Sequence, residues 1–244
     1  MSFALFGLLL VIPAHISAGG VNMKEELEAY KADARENYSK SVGLPADYAF
    51  SNGKLVLPLP PVSTAVGGIM VIGAYPSAIF AGGVPADNLK MPFDDTVYPG
   101  GVNKSAEELD KEYLAPLGLA RSGCWITNLV KVFLFKKGHA RIGGAETRSE
   151  FDSYARKSLP WLEKELALAK PRLILTLGEE VAGIVTKTAG AKRVKLLDYK
   201  IRTIKLFCRE YKIIHMVHPG QLMRKNAKWI KTHQEGLKAL RGKI

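Results

Sequence analysis

The sequence predicts an α/β protein of three layers, α/β/α, around a central four-stranded, mostly parallel sheet. Three observations predict it. Four short apolar runs, GIMVI (68–72), CWITNLV (124–130), RLILTL (172–177) and KIIHMV (212–217), have the length and composition of buried strands. They are apolar almost throughout rather than alternating, as strands covered on both faces are. Stretches of helical periodicity lie between them, so strand alternates with helix and the connections are crossovers. A hydrophobic content of 47% over 244 residues is enough for one core of that size.

The elements follow in order. FALFGLLLVIPA (3–14) is apolar, but no Lys or Arg precedes it, as an export signal requires, and it is short for a membrane span. The expectation is a chain that is not exported and has no membrane span. The apolar stretch then either packs as a helix or precedes a true start at Met23. MKEELEAYKADARENY (23–38) reads as a charged amphipathic helix and 43–66 as loop, so residues 1–66 are expected to pack on a core formed by 67–244. The first strand ends in GAYPS (73–77), and 78–104 is a Gly- and Pro-rich excursion without periodicity, the kind of long loop that often carries function. SAEELDKEYLAPLGL (105–119) begins with Ser105 and Glu108 in capping-box spacing. After the second strand and a loop at 136–146, residues 147–170 form one helix or two broken near Pro160. The third strand leads into a helix at 179–190, residues 192–210 read as a basic hairpin-like region, and a helix over 224–242 closes the chain.

Charge is unevenly placed. Residues 1–191 balance 20 basic against 20 acidic residues, whereas 192–244 hold 15 basic and 3 acidic ones, so the whole net charge of +12 sits in the last fifth. Such an excess favours a polyanionic partner, nucleic acid first, with an acidic lipid surface or a merely soluble tail as the alternatives. Two cysteines, Cys124 and Cys208, exclude a disulfide framework and a four-cysteine zinc or iron–sulfur site, and they fit a reducing cytoplasm.

In sheets of this kind sites form beyond the carboxyl ends of the strands. Here those ends are GAYPS, TNLVK, LGEE and HPG. Asn128 offers one acceptor and two donors, which read an amide edge such as that of uracil or else cap the following loop. His218 either donates to a developing oxyanion or sits in a turn before proline. His215, three residues earlier, is read as a core histidine. Gly73 allows close backbone approach, Tyr75 can wall a pocket, and Phe93 in KMPFDD is a second stacking face, although either aromatic equally suits a core.

These strand ends resemble the uracil-DNA glycosylase superfamily. WITNLVKV resembles the family's YITNVVK strand, PRLILTLGEEVA its PKVIVTLGxxA segment, HPG its histidine motif, MPF its RPF motif, and GAYPS stands in place of GEAPG. The similarity runs over about 69–230. It implies that Asn128 reads the uracil edge, Phe93 stacks on the base, and His218 stabilises the departing pyrimidine anion. It also implies that Leu222 wedges into the DNA stack, with Gln221, Arg224 and Lys225 in the same DNA-facing loop. Two departures stand out. The first motif offers Ala74 and Tyr75 where relatives carry a polar residue that handles water, and the iron–sulfur cysteines are missing. Asp94 and Asp95, just after Phe93, are the nearest replacements, with Glu179 and Glu180 as further candidates that also suit the opening turn of a helix.

The resemblance therefore implies a monofunctional glycosylase that flips uracil, or a related deaminated base, out of DNA and hydrolyses its N-glycosidic bond. It implies no metal and no cofactor, damaged DNA as partner, and a monomer acting in the cytoplasm or on the nucleoid. The alternatives are a weakly catalytic protein of the same fold that binds damaged or abasic DNA, and an α/β metabolic enzyme with no DNA role.

Overall fold

The structure, a computed structural model, describes residues 22–44, 57–81, 84–90, 104–132, 134 and 145–244. The apolar stretch at the amino terminus and the segment holding Phe93, Asp94 and Asp95 lie outside the described residues.

Helix α1 (Met23–Val42) is capped at its start by the Asn22 side chain and ends on Gly43 in the left-handed region. Tyr30, Ala34, Tyr38 and Val42, spaced by four, form the stripe it buries. Strand β1 (Ile69–Gly73) follows, then an antiparallel ribbon of β2 (Ser77–Ala81) and β3 (Val84–Lys90) inside the stretch expected as loop. Helix α2 (Lys104–Glu108) continues through π-helical and 3-10 turns to Leu117. Ser105 lies within its first turn rather than at the cap. Strand β4 (Cys124–Asn128) precedes α3 (Ala145–Lys157) and α4 (Leu159–Ala169), two helices parted at Ser158 just before Pro160. Then come β5 (Leu173–Leu177), α5 (Glu179–Val185), β6 (Arg202–Leu206), β7 (Arg209–Met216), α6 (Pro219–Met223) and α7 (Ala227–Leu240).

The main sheet has five strands, one more than expected, in the order β4-β1-β5-β7-β6. β4, β1, β5 and β7 are parallel; β6 pairs antiparallel with β7 and is the added edge strand, supplied by the basic hairpin-like region. Its sequence, RTIKL, places Arg202 and Lys205 on an edge, where charge discourages pairing with another chain.

Strand alternation sorts the core into two layers. Met70, Ile72, Trp125, Ile174 and Ile213 pack with residues of α1, α3, α4 and α5 on one face. Ile69, Val71, Ile126, Leu175, Ile214 and Met216 pack with Leu109, Tyr113, Leu222 and Leu237 on the other. The chain runs from β1 outward to β4 and then returns across β1 to β5, so the topological switch lies between β1 and β5. Gly73, Asn128, Gly178 and His218 all lie at or just beyond the carboxyl ends of the four parallel strands.

Candidate active site

The sheet register sets Gly73 beside Asn128. Past this pair the two chains stay joined: the Gly73 carbonyl accepts from Leu129 N (2.8 Å) and the Ala74 carbonyl from Val130 N (2.9 Å). The backbone of GAYPS thus braces the TNLVK strand end. Tyr75 packs half-buried against Phe151 of α3, ring centroids 5.9 Å apart, and burial raises its phenol pKa, with the Glu180 carboxylate adding to the effect.

Asn128 is completely buried, and neither its Oδ1 nor its Nδ2 has a hydrogen-bond partner among the described residues. Leaving both ends of a buried amide unpaired costs roughly 1–3 kcal/mol for each. Native interiors contain few such groups, and each requires a reason. A ligand that supplies one donor and one acceptor is such a reason.

Behind Asn128, on the opposite face of β4, lies a buried polar network. Lys131 Nζ donates to the Asn128 carbonyl (2.6 Å) and to Thr127 Oγ1 (2.8 Å), and pairs with Glu165 Oε1 (2.7 Å). Glu165, on α4, also accepts from Tyr30 OH (2.6 Å) and from Thr127 Oγ1 (3.2 Å). Burial pulls the Lys131 ammonium pKa down, against the opposing pull of Glu165.

His218 is the N-cap of α6, and its Nδ1 accepts from Gly220 N (3.0 Å). In the neutral ring this leaves the proton on Nε2. Burial lowers the His218 pKa, Glu180 opposes that shift and Arg224 adds to it. Gly178 makes room here: at φ +97° it occupies a region side chains avoid, and a Cβ on it would stand 3.4 Å from His218 Cβ and 3.2 Å from Glu180 Oε2. Val217, just before His218, is held at both backbone groups. Tyr113 OH donates to its carbonyl (2.7 Å) and its N–H donates to Tyr199 OH (3.1 Å).

The sequence-predicted residues thus divide. Gly73, Asn128 and His218 lie at one end of the sheet, with Tyr75 beside them. His215 is buried within β7; its Nδ1 is bonded to Thr176 Oγ1 (2.6 Å), while its Nε2 has no hydrogen-bond partner among the described residues. Leu222 is 8% exposed and packed in the second core layer, whereas Met223 beside it is 40% exposed. Gln221 is half-buried, and Arg224 and Lys225 are exposed on the same turn. Cys124 is buried on one edge strand, with burial raising its thiol pKa to about 11, and Cys208 is exposed at the β6–β7 turn of the other edge. No group of three or more His, Cys, Asp or Glu that could hold a metal occurs among the described residues. No helix among them is long and apolar enough to cross a membrane.

Lys131, Glu165, Tyr113 and Tyr199 were not singled out from sequence. A signal existed for the first two. Lys131 interrupts an apolar run, and Glu165 falls on the apolar stripe Trp161, Leu162, Leu166, Ala169 of α4.

No curated protein sequence matches the chain. A family model, Uracil DNA glycosylase superfamily, matches residues 68–241, from the residue before β1 to the residue after α7. That range covers well over half the chain and takes in all four strand ends, and the protein belongs to the uracil DNA glycosylase superfamily.

Proposed function

We propose that the protein is a monofunctional DNA glycosylase that flips uracil, or a closely related deaminated base, from DNA and hydrolyses its N-glycosidic bond. The observation that carries this reading is Asn128, a fully buried amide with both polar atoms unpartnered among the described residues. One acceptor and two donors complement the O4 and N3–H edge of uracil.

His218 supplies the electrostatic part. Its Nδ1 is held by the Gly220 N–H, so Nε2–H is the donor that faces a pyrimidine O2 as negative charge gathers on the departing base. Burial favours the neutral ring, which is the form required, because that donor needs no second proton. Asp94 and Asp95 remain the proposed carboxylates for the attacking water, with Phe93 as the stacking face and Tyr75 as the side wall. Glu180 is a third carboxylate beside His218 and Tyr75. Arg224 and Lys225, with the rest of the basic segment, contact phosphates and position the DNA without reading sequence, and Gln221 lies on the same turn. Leu222 remains the proposed wedge; it is 8% exposed on the turn it shares with the 40% exposed Met223.

A second reading is a protein that binds damaged or abasic DNA with little turnover. It is favoured by the first motif, where Ala74 and Tyr75 offer no carboxylate and Tyr75 is engaged with Phe151.

Single-turnover cleavage of labelled single- and double-stranded oligonucleotides containing uracil, with a parallel gel shift, tests the proposal. The expected result is released uracil. His218→Ala and Asn128→Ala are each expected to slow release about 10²-fold while leaving nonspecific DNA binding largely intact. Tight binding without release supports the second reading. Wild-type rates in both variants would sink the assignment of the site.

A further inference from the structure

Helix α1 lies outside the family-matched range 68–241, yet two of its phenols enter the network behind Asn128. Tyr30 OH donates to Glu165 Oε1 at 2.6 Å. Tyr38 OH accepts from Lys131 N at 2.8 Å and shares a 2.6 Å bond with Ser158 Oγ. All three ammonium hydrogens of Lys131 have partners: Glu165 Oε1, Thr127 Oγ1 and the Asn128 carbonyl. The far oxygen of Glu165 faces Trp125 Nε1 at 3.5 Å.

The consequence falls on one peptide plane. Between Asn128 and Leu129 the carbonyl is held by Lys131 Nζ and the N–H by the Gly73 carbonyl. With both ends of that plane fixed, the backbone torsion of Asn128 is fixed, and with it the direction of its Cα–Cβ bond. A buried ion pair is a poor source of net stability, because desolvating two charges offsets most of their attraction, and apolar replacements of similar volume are often no worse. Fixing geometry is what a saturated pair does better than apolar packing.

We propose that the buried Lys131–Glu165 pair, anchored to α1 through Tyr30 and Tyr38, is the positioning device for the Asn128 side chain, which makes the amino-terminal helix a working part of the site. This rests on the reading of Asn128 as the residue that recognises the base. Lys131, Glu165 and Tyr30 are positioning residues; none of them faces the substrate. The same arrangement gives α1 an influence on base choice, since a small rotation of Asn128 changes which amide edge it matches.

The test is the neutral pair Lys131→Met/Glu165→Gln, whose glutamine still accepts from Tyr30. Single-turnover base release is expected to fall about 10²-fold, the cost typical of a misplacement near 1 Å, with the DNA dissociation constant and the acid limb of the rate profile unmoved. A second readout does not depend on turnover. The side-chain amide resonances of Asn128, identified by their loss in Asn128→Ala, are expected to shift in the neutral pair and, to a smaller degree, in Tyr30→Phe. A folded neutral pair with the wild-type rate and unshifted Asn128 resonances overturns the proposal. If the neutral pair does not fold, Tyr30→Phe decides it by the same resonances. A wild-type protein that releases no base overturns the glycosylase reading, and the resonances alone then decide this one.

Discussion

At the end of β4 the peptide after Asn128 is gripped from behind by a buried ammonium and a buried carboxylate. At the end of β7 the residue before His218, Val217, is gripped at both backbone groups by side chains with no formal charge. There, Tyr113 donates to the Val217 carbonyl and Tyr199 accepts from its N–H. Tyr199 OH in turn meets His233 Nδ1 (2.6 Å), and His233 Nε2 meets the Glu112 carbonyl (2.8 Å). A carbonyl only accepts, so Nε2 donates, Nδ1 accepts from the phenol, and the relay is consistent with a neutral imidazole. The two ends thus solve one problem, holding a strand tip still, by different means. The charged brace is expected to tolerate the loss of one member poorly, because a buried charge is then left unpaired. The neutral brace is expected to withstand single losses better and, with burial lowering the His233 pKa, to be sensitive to acid.

The largest effect expected from breaking this comparison is on the charged side. Lys131→Met alone leaves the fully buried Glu165 without its cation, a change that costs about 3–5 kcal/mol. The neutral pair Lys131→Met/Glu165→Gln should recover much of that loss, because no charge is left uncompensated. Urea denaturation of both variants measures the difference. Equal destabilisation by the single and double changes would mean that Lys131 contributes through packing and not through its pairing with Glu165.

Acid comes next and acts on the other side. Burial holds the pKa values of His215, His218 and His233 below that of a free imidazole, His215 as low as about 4. For His215, Arg202 reinforces that shift and Asp198 opposes it. A depressed folded-state pKa means that the unfolded chain binds protons first. The stabilising contribution is therefore complete above about pH 6.5 and is lost as pH falls toward 4. For His215 alone the loss is on the order of 3 kcal/mol across that window. The urea midpoint should decline steadily from pH 6.5 to 4 in the wild type and less steeply in His215→Asn. A flat wild-type profile would remove the acid-sensitive half of the comparison.

The same contrast explains what could be seen in the sequence. The four parallel strands were legible because apolar runs bounded by Gly, Pro and polar residues have few other uses, and Asn128 and His218 were legible because they end such runs. β6 was visible only as a basic hairpin-like stretch, since RTIKL alternates weakly and gains its strand character from pairing with β7. The ion pair was not read because its members are 34 positions apart (131 to 165) on different elements. Sequence marks each as an oddity on an apolar stripe without saying that they meet. That Leu222 is buried while Met223 is exposed turns on the phase of a five-residue helix, which is too short to show a periodicity. Its burial is decided by contact with the layer around Ile214 and Met216.

The smallest expected effect sharpens the neutral side. Tyr199→Phe removes a hydroxyl that serves two partners, leaving Val217 N–H and His233 Nδ1 to find others. An unpaired buried donor or acceptor costs about 1–3 kcal/mol, and the destabilisation should fall in that range because Tyr113 still holds the Val217 carbonyl. Gly236 supplies an independent handle on the same ring. A Cβ there would stand 2.2–2.6 Å from three Tyr199 ring atoms, so Gly236→Ala must displace the phenol, hydroxyl included, without removing the hydroxyl group. If the relay matters through the position of Tyr199, both variants should slow base release while leaving the Asn128 resonances unshifted, because the two strand ends have separate braces. Shifted Asn128 resonances in Tyr199→Phe would show that the braces are coupled through the sheet, and the comparison would have to be redrawn as one network with charged and neutral parts.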